Sequence, residues 1–192
     1  MTRAPSLACH EAAMMRSWPV IAAMCLALGG FSAVAAYEMA PPRAGAWREI
    51  AWLFPRDGWP AGRAFRCGTT DCEGVEVYVR PKLGFCNCGS GVADDDEVDR
   101  VADIDMISAR FVPLKAGDVV DVADMRGRVR AYDIEMPEGK RTAIGIALSH
   151  RCDLLVAAAQ GRGDATRVQR VTLEFLATYE TKKWIRSAME VR

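Results

Sequence analysis

Electrostatic bias is the first thing this sequence lacks. Its 25 basic residues match its 25 acidic ones. Arg3, Arg16 and Glu11 precede Tyr37, so the chain from Tyr37 onward holds 23 basic and 24 acidic residues. Binding nucleic acid through the overall field needs a cationic excess, so nucleic acid is not an expected partner. Histidine is scarce too: His10 and His150 are the two in the chain. No glycine-rich phosphate loop and no dinucleotide-binding fingerprint occurs. Gly89-Ser90-Gly91 falls short of the G-x-S-x-G turn that presents a nucleophilic serine. The acidic run Asp94-Asp95-Asp96-Glu97, with Asp99, Asp103 and Asp105, lacks the spacing and the sixth-position glycine of an EF-hand loop. No internal repeat is visible. These absences leave no convergent acid, base and nucleophile set, and they point to no cofactor.

What is present begins with an export signal. Arg16 supplies a basic start, residues 20–31 (VIAAMCLALGGF) form an uncharged apolar stretch, and residues 32–36 (SAVAA) supply small side chains at cleavage spacing. Two A-x-A-like sites overlap there, so cleavage after Ala35 or Ala36 is expected, removing residues 1–36 as a signal peptide. Residues 18–36 are also nearly long enough to span a bilayer, which leaves an uncleaved membrane anchor as the alternative. Residues 1–14 fit the signal poorly. A true start at Met14 or Met15 would put Arg16 in place and leave Cys9 and His10 outside the protein.

Residues 37–46 read as a Pro- and Ala-rich spacer, and residues 47–192 as a single domain. An apolar content of 51% against 26% charged residues is ordinary for a folded domain. Trp47, Ile50, Ala51 and Phe54 follow helical spacing, which predicts a short helix ended by Pro55. Val75, Val77 and Val79 alternate with Glu76, Tyr78 and Arg80, the pattern of a half-buried strand, with Phe65 on a partner strand. Residues 93–104 read as a helix capped by Asp94 or Asp95. Four strands are expected at 119–123, 128–134, 142–148 and 154–159, with turns at Arg126-Gly127, Pro137-Glu138-Gly139 and 149–153. A last helix starts near Asp164, with Val168, Val171, Phe175 and Tyr179 on its apolar face and Trp184 and Ile185 as an extension. The expected fold class is α+β: a mostly antiparallel sheet with the C-terminal helix packed on one face.

The unusual chemistry lies in five cysteines: Cys67, Cys72, Cys86, Cys88 and Cys152. In an exported chain disulfides are the default. Cys67 and Cys72 flank a stretch that turns easily, and a bridge there would stabilise by about 2 kcal/mol. Joining Cys86 or Cys88 to Cys152 would close a far longer loop, worth about 4 kcal/mol. Two sharper readings compete. Cys86 and Cys88 could close a strained C-x-C ring able to exchange with other thiols. Alternatively Cys86, Cys88, His150 and Cys152 supply four soft or borderline ligands for Zn or Cu(I). A Cys–His dyad through His150 lacks any motif placing the thiol at a helix start. Arg162-Gly163-Asp164 is better explained as a glycine turn before a helix cap than as an adhesion tripeptide.

The expectation from these residues is an exported, non-enzymatic binding or accessory protein of the cell envelope, located in the bacterial periplasm, with another envelope protein as its partner. The alternative is an envelope thiol-redox or metal-handling protein acting through Cys86, Cys88, His150 and Cys152.

Overall fold

The computed structural model describes residues 46–190, except 56, 73 and 85–87. The chain divides into two units, Met1–Pro41 and Pro42–Arg192, and every described residue belongs to the second. The expected signal segment, with Ala35 and Ala36, lies outside the described residues.

Eight strands form one antiparallel sheet: β1 (Trp47–Ile50), β2 (Arg63–Cys67), β3 (Glu76–Lys82), β4 (Phe111–Pro113), β5 (Asp118–Val122), β6 (Met125–Met136), β7 (Gly139–His150) and β8 (Asp153–Gly161). Their spatial order is β1-β2-β3-β8-β7-β6-β4, with β5 pairing a further stretch of β6. Helices α1 (Asp95–Val101) and α2 (Ile104–Ile107) precede β4, and α3 (Ala165–Leu176) and α4 (Tyr179–Glu190) close the chain. The fold is therefore α+β, a mostly antiparallel sheet with C-terminal helices on one face.

Short links between β5, β6, β7 and β8 make the antiparallel ribbon that forms the centre of the molecule. The link between β5 and β6 turns at Ala123 and Asp124, whose φ values are 52° and 66°. Two successive left-handed residues are what a tight hairpin turn requires. Arg126-Gly127, expected to be that turn, instead lies inside β6, where Gly127 pairs with Leu148 and a Cβ would strike the carbonyl of Ala147. Central β8 (DLLVAAAQG) is buried throughout because both its faces and both its edges are covered.

One face is predominantly apolar. Val77, Val79, Ile144, Ile146, Leu148, Leu155 and Ala157 meet Val168, Val171, Phe175 and Leu176 of α3 and Ile185 and Met189 of α4. Asp164 caps α3 by accepting a hydrogen bond from the Arg167 N–H at 2.9 Å, which contributes about 1 kcal/mol. The single extended helix of the sequence reading is two helices. The Thr178 hydroxyl donates to the Phe175 carbonyl and accepts from the Thr181 N–H, ending one helix and starting the next.

The opposite face is covered in part by α1 and α2, whose Val98, Val101, Ala102 and Ile104 pack on Tyr132, Ile134, Ala143, Leu154 and Val156. The acidic run docks α1 onto β6. Asp94 caps the helix through the Glu97 N–H. Asp95 accepts from the Gly117 N–H and from Arg128, and Asp99 accepts from Arg130 and from the Tyr132 hydroxyl at 2.6 Å.

Two further expectations fail. Trp47–Ile50 is a strand paired with β2, not the start of a helix. Pairing with β2 and stacking of Trp47 on Phe175, ring centroids 4.4 Å apart, override the helical spacing. The strand at 75–80 is not half-exposed: all seven residues of β3 are buried, because the connection between β1 and β2 lies over its polar side.

Candidate functional site

The structure pairs Cys67 with Cys72, Cα atoms 6.0 Å apart, and Cys88 with Cys152, Cα atoms 4.5 Å apart. The first bridge closes the link between β2 and β3, and the Thr69 hydroxyl lies 3.3 Å from the Cys72 sulfur. The second ties the segment after β3 to the turn between β7 and β8. Two hydrogen bonds reinforce that tie: the Val92 N–H donates to Ser149 Oγ at 2.7 Å and the Gly84 N–H to Asp153 Oδ1 at 2.6 Å. Cys86 lies outside the described residues. With Cys88 and Cys152 bridged, their sulfurs are not thiolates, so the proposed four-ligand set keeps at most Cys86 and His150. His150 ends β7, half-buried, opposite Asp153. Among the described residues, no three His, Cys, Asp or Glu side chains gather where a metal ion would be held.

The chemically dense part of the molecule is elsewhere, on the face away from α3 and α4. A strand's alternate residues share a face, and in β3 these are Glu76, Tyr78, Arg80 and Lys82. Each has found partners. The Glu76 carboxylate accepts from Arg66 Nε at 2.7 Å, from the Tyr78 hydroxyl at 2.7 Å and from Gln160 Nε2 at 3.0 Å. Arg80, only 2% exposed, donates its Nε to Asp103 Oδ2 at 2.8 Å. Its two outer nitrogens fork onto both oxygens of Asp57, at 2.9 and 2.7 Å. Lys82 Nζ donates to Asp103 Oδ1 at 2.6 Å and to the Val101 carbonyl at 2.9 Å. Asp103 joins α1 to α2 with φ 60°, a left-handed conformation that aspartate tolerates better than most residues.

The connection between β1 and β2 closes over this row. Phe54 stacks on Tyr78 with centroids 4.8 Å apart, Trp52 meets the edge of Tyr78 at 6.2 Å, and the Arg80 guanidinium lies 5.8 Å from the Trp52 ring centre. Gly62 allows the close approach: a Cβ there would strike the Val79 carbonyl, Trp52 and the Cβ of Arg80. Among the described residues, β3 beyond Val79 has no strand partner on the β2 side, so Pro81, which lacks an N–H, is accommodated.

These contacts set the charges. Burial alone would raise the Glu76 carboxyl, but the hydrogen bonds from Tyr78 and Arg66 outweigh it and hold the group below the usual carboxylate range. Asp57 is held low by Arg80, and by the Trp59 N–H as well. Burial opposes the charge of Arg80, yet Asp57 and Asp103 keep it raised. Burial and the neighbouring Glu76 push the Tyr78 hydroxyl up. Both carboxylates and the guanidinium are thus fixed in their ionised forms, which suits electrostatic recognition better than proton transfer.

Sequence reasoning missed this row. A half-buried strand would leave Glu76 on its solvent side. Instead it is 9% exposed and holds three donors. Four polar side chains at consecutive alternate positions, one of them tyrosine, were the available signal.

No protein-family profile matches the chain, and no curated protein sequence does. Among the solved structures that resemble its fold weakly, two illustrate the likeness. One is a Pseudomonas aeruginosa protein of unknown function, PA94, with 9% identity, covering 77% of this chain and 97% of its own, at a TM-score of 0.38. The other is the solution structure of cyanobacterial PsbP (CyanoP) from Synechocystis sp. PCC 6803, with 13% identity, covering 77% and 82%, at a TM-score of 0.41. At those values neither likeness carries a functional argument.

Proposed function

We propose that the chain is an exported, non-enzymatic binding or accessory protein of the bacterial cell envelope, working in the periplasm beside another envelope protein. The observation that carries this reading is the Cys88–Cys152 bridge, which spans 64 residues and joins two separate parts of the fold. Such a long-range bond persists where the surroundings are oxidising. The apolar stretch at 20–31 and the small residues at 32–36 supply a route out of the cytoplasm. Binding is favoured over catalysis because the buried charges are locked in ion pairs. Among the described residues, no helix is long and apolar enough to cross a membrane.

Fractionation with intact-mass measurement tests the reading. The expected species begins at Ala36 or Tyr37, is released with the periplasm, and carries no more than one alkylatable thiol. Retention in the membrane with residues 20–31 intact would make the chain an anchored protein. Recovery in the cytoplasm with every thiol free would overturn the reading.

A further inference from the structure

The Arg80 guanidinium holds two carboxylates that differ in kind. Asp103 is itself buried, is shared with Lys82 and sits at the junction of two helices. Asp57 comes from a connection with no regular structure, and its side chain is 27% exposed. Its fork onto Arg80, with both outer nitrogens on both oxygens, is the arrangement by which arginine recognises a carboxylate in a ligand. Trp52 lies over the guanidinium, and Phe54 packs against Trp52 at 4.9 Å and stacks on Tyr78. They would meet the carbon frame of an organic acid.

We propose that Asp57 is the resident occupant of a carboxylate-binding site centred on Arg80, and that an external carboxylate binds by taking its place. The exchange follows from the cost of the alternatives. Withdrawing Asp57 alone strips the outer edge of a buried guanidinium of both carboxylate oxygens and leaves only the weak Met106 sulfur, which is strongly unfavourable. Withdrawing it while another carboxylate enters keeps the fork filled. The connection between β1 and β2 then lifts, and Trp52 and Phe54 rearrange around the newcomer. The ligand class is a carboxylate, either of a small organic acid or at the end of a peptide. This deepens the binding-protein reading and rests on it.

Purified full-length protein carrying Asp57→Ala tests the site. The variant should melt lower than the parent, and sodium acetate should restore its melting temperature saturably, where sodium chloride at equal ionic strength does not. Adding Arg80→Met should abolish the acetate effect. Should Asp57→Ala not fold, Asp57→Asn keeps the shape and removes the charge, and the same comparison applies. A short peptide with a free C-terminus, set against its amidated twin, separates the two sources: rescue by both acetate and the free peptide admits a peptide ligand, and rescue by acetate alone restricts the site to small acids. In the parent protein, a large excess of the better carboxylate should speed amide exchange at Trp52, Phe54, Asp57 and Trp59. Three results would overturn the proposal: acetate no better than chloride, rescue that survives Arg80→Met, or exchange in the parent that does not change. None of these readouts depends on export, so failure here leaves the envelope reading standing, and failed fractionation leaves this site standing.

Discussion

Val77 and Glu76 are neighbours in β3 and both are buried, yet they meet opposite worlds. Val77, fully buried, faces the apolar layer under α3 and α4. Glu76 faces a row in which stability depends on pairing one charge with another. The apolar face is held by many small, interchangeable contacts, each worth little and none strictly directional. The charged face is held by a few directional ones. A buried ion pair adds little net stability over apolar packing, but removing one partner leaves a buried charge uncompensated. One face should therefore degrade gradually under substitution, and the other should fail by pairs.

The largest effect should come from carrying the chemistry of one face to the other. Val77→Asp puts a carboxylate into the apolar layer without a donor, and should cost about 5 kcal/mol or unfold the domain, as read by chemical denaturation. Next come the two bridges. Cys152→Ser should cost about 4 kcal/mol and Cys72→Ser about 2 kcal/mol, because the longer loop gives up more entropy on closure. Thermal melts under non-reducing conditions check the order, and Cys152→Ser should also release the Cys88 thiol to alkylation.

A loss between those of the two bridges, about 3 kcal/mol, is expected for Glu76→Lys, which sets a cation beside Arg66 and strips Tyr78 of its acceptor. An effect near zero would mean that Glu76 is solvated after all. Acid should expose the same difference between faces. The carboxyls of Glu76, Asp57 and Asp95 are held below their ordinary values of 4.5, 3.8 and 3.8. A depressed carboxyl contributes its stability in full above its unfolded value and loses it as pH falls through the folded one. These groups should leave stability flat between pH 7 and 5 and erode it below about pH 4. Asp57→Asn should flatten the acid limb slightly, measured by melts across that range.

The parts of this account that could be read in advance are those set by local pattern. The four strands β5 to β8 and the helices α1 and α3 follow from period-2 and helical spacing, and from caps such as Asp94 and Asp164. The cysteine candidates followed from their number and spacing. What could not be read is set by distant partners. Asp57 and Asp103 each stand 23 residues from Arg80, on either side of it, and nothing local marks them as its partners. Alternation in β3 says which residues share a face and is silent on what that face meets. Trp47–Ile50 misleads for the same reason: helical spacing over about two turns, from Trp47 to Phe54, is a weak signal, and pairing with β2 decides the outcome. The three-residue β4 has almost no local signal of its own and exists through pairing with β6.

Whether the charged face stands by mutual pairing is read from a double-mutant cycle on Arg80→Met and Asp103→Asn. Asparagine suits the left-handed backbone at residue 103, so the change removes charge without adding strain. Each single variant should be clearly destabilised, and the double variant should lose less than the two losses added, with a coupling of about 2 kcal/mol. Losses that add to within about 0.5 kcal/mol would mean that the two side chains contribute independently and that the face is not held by pairing.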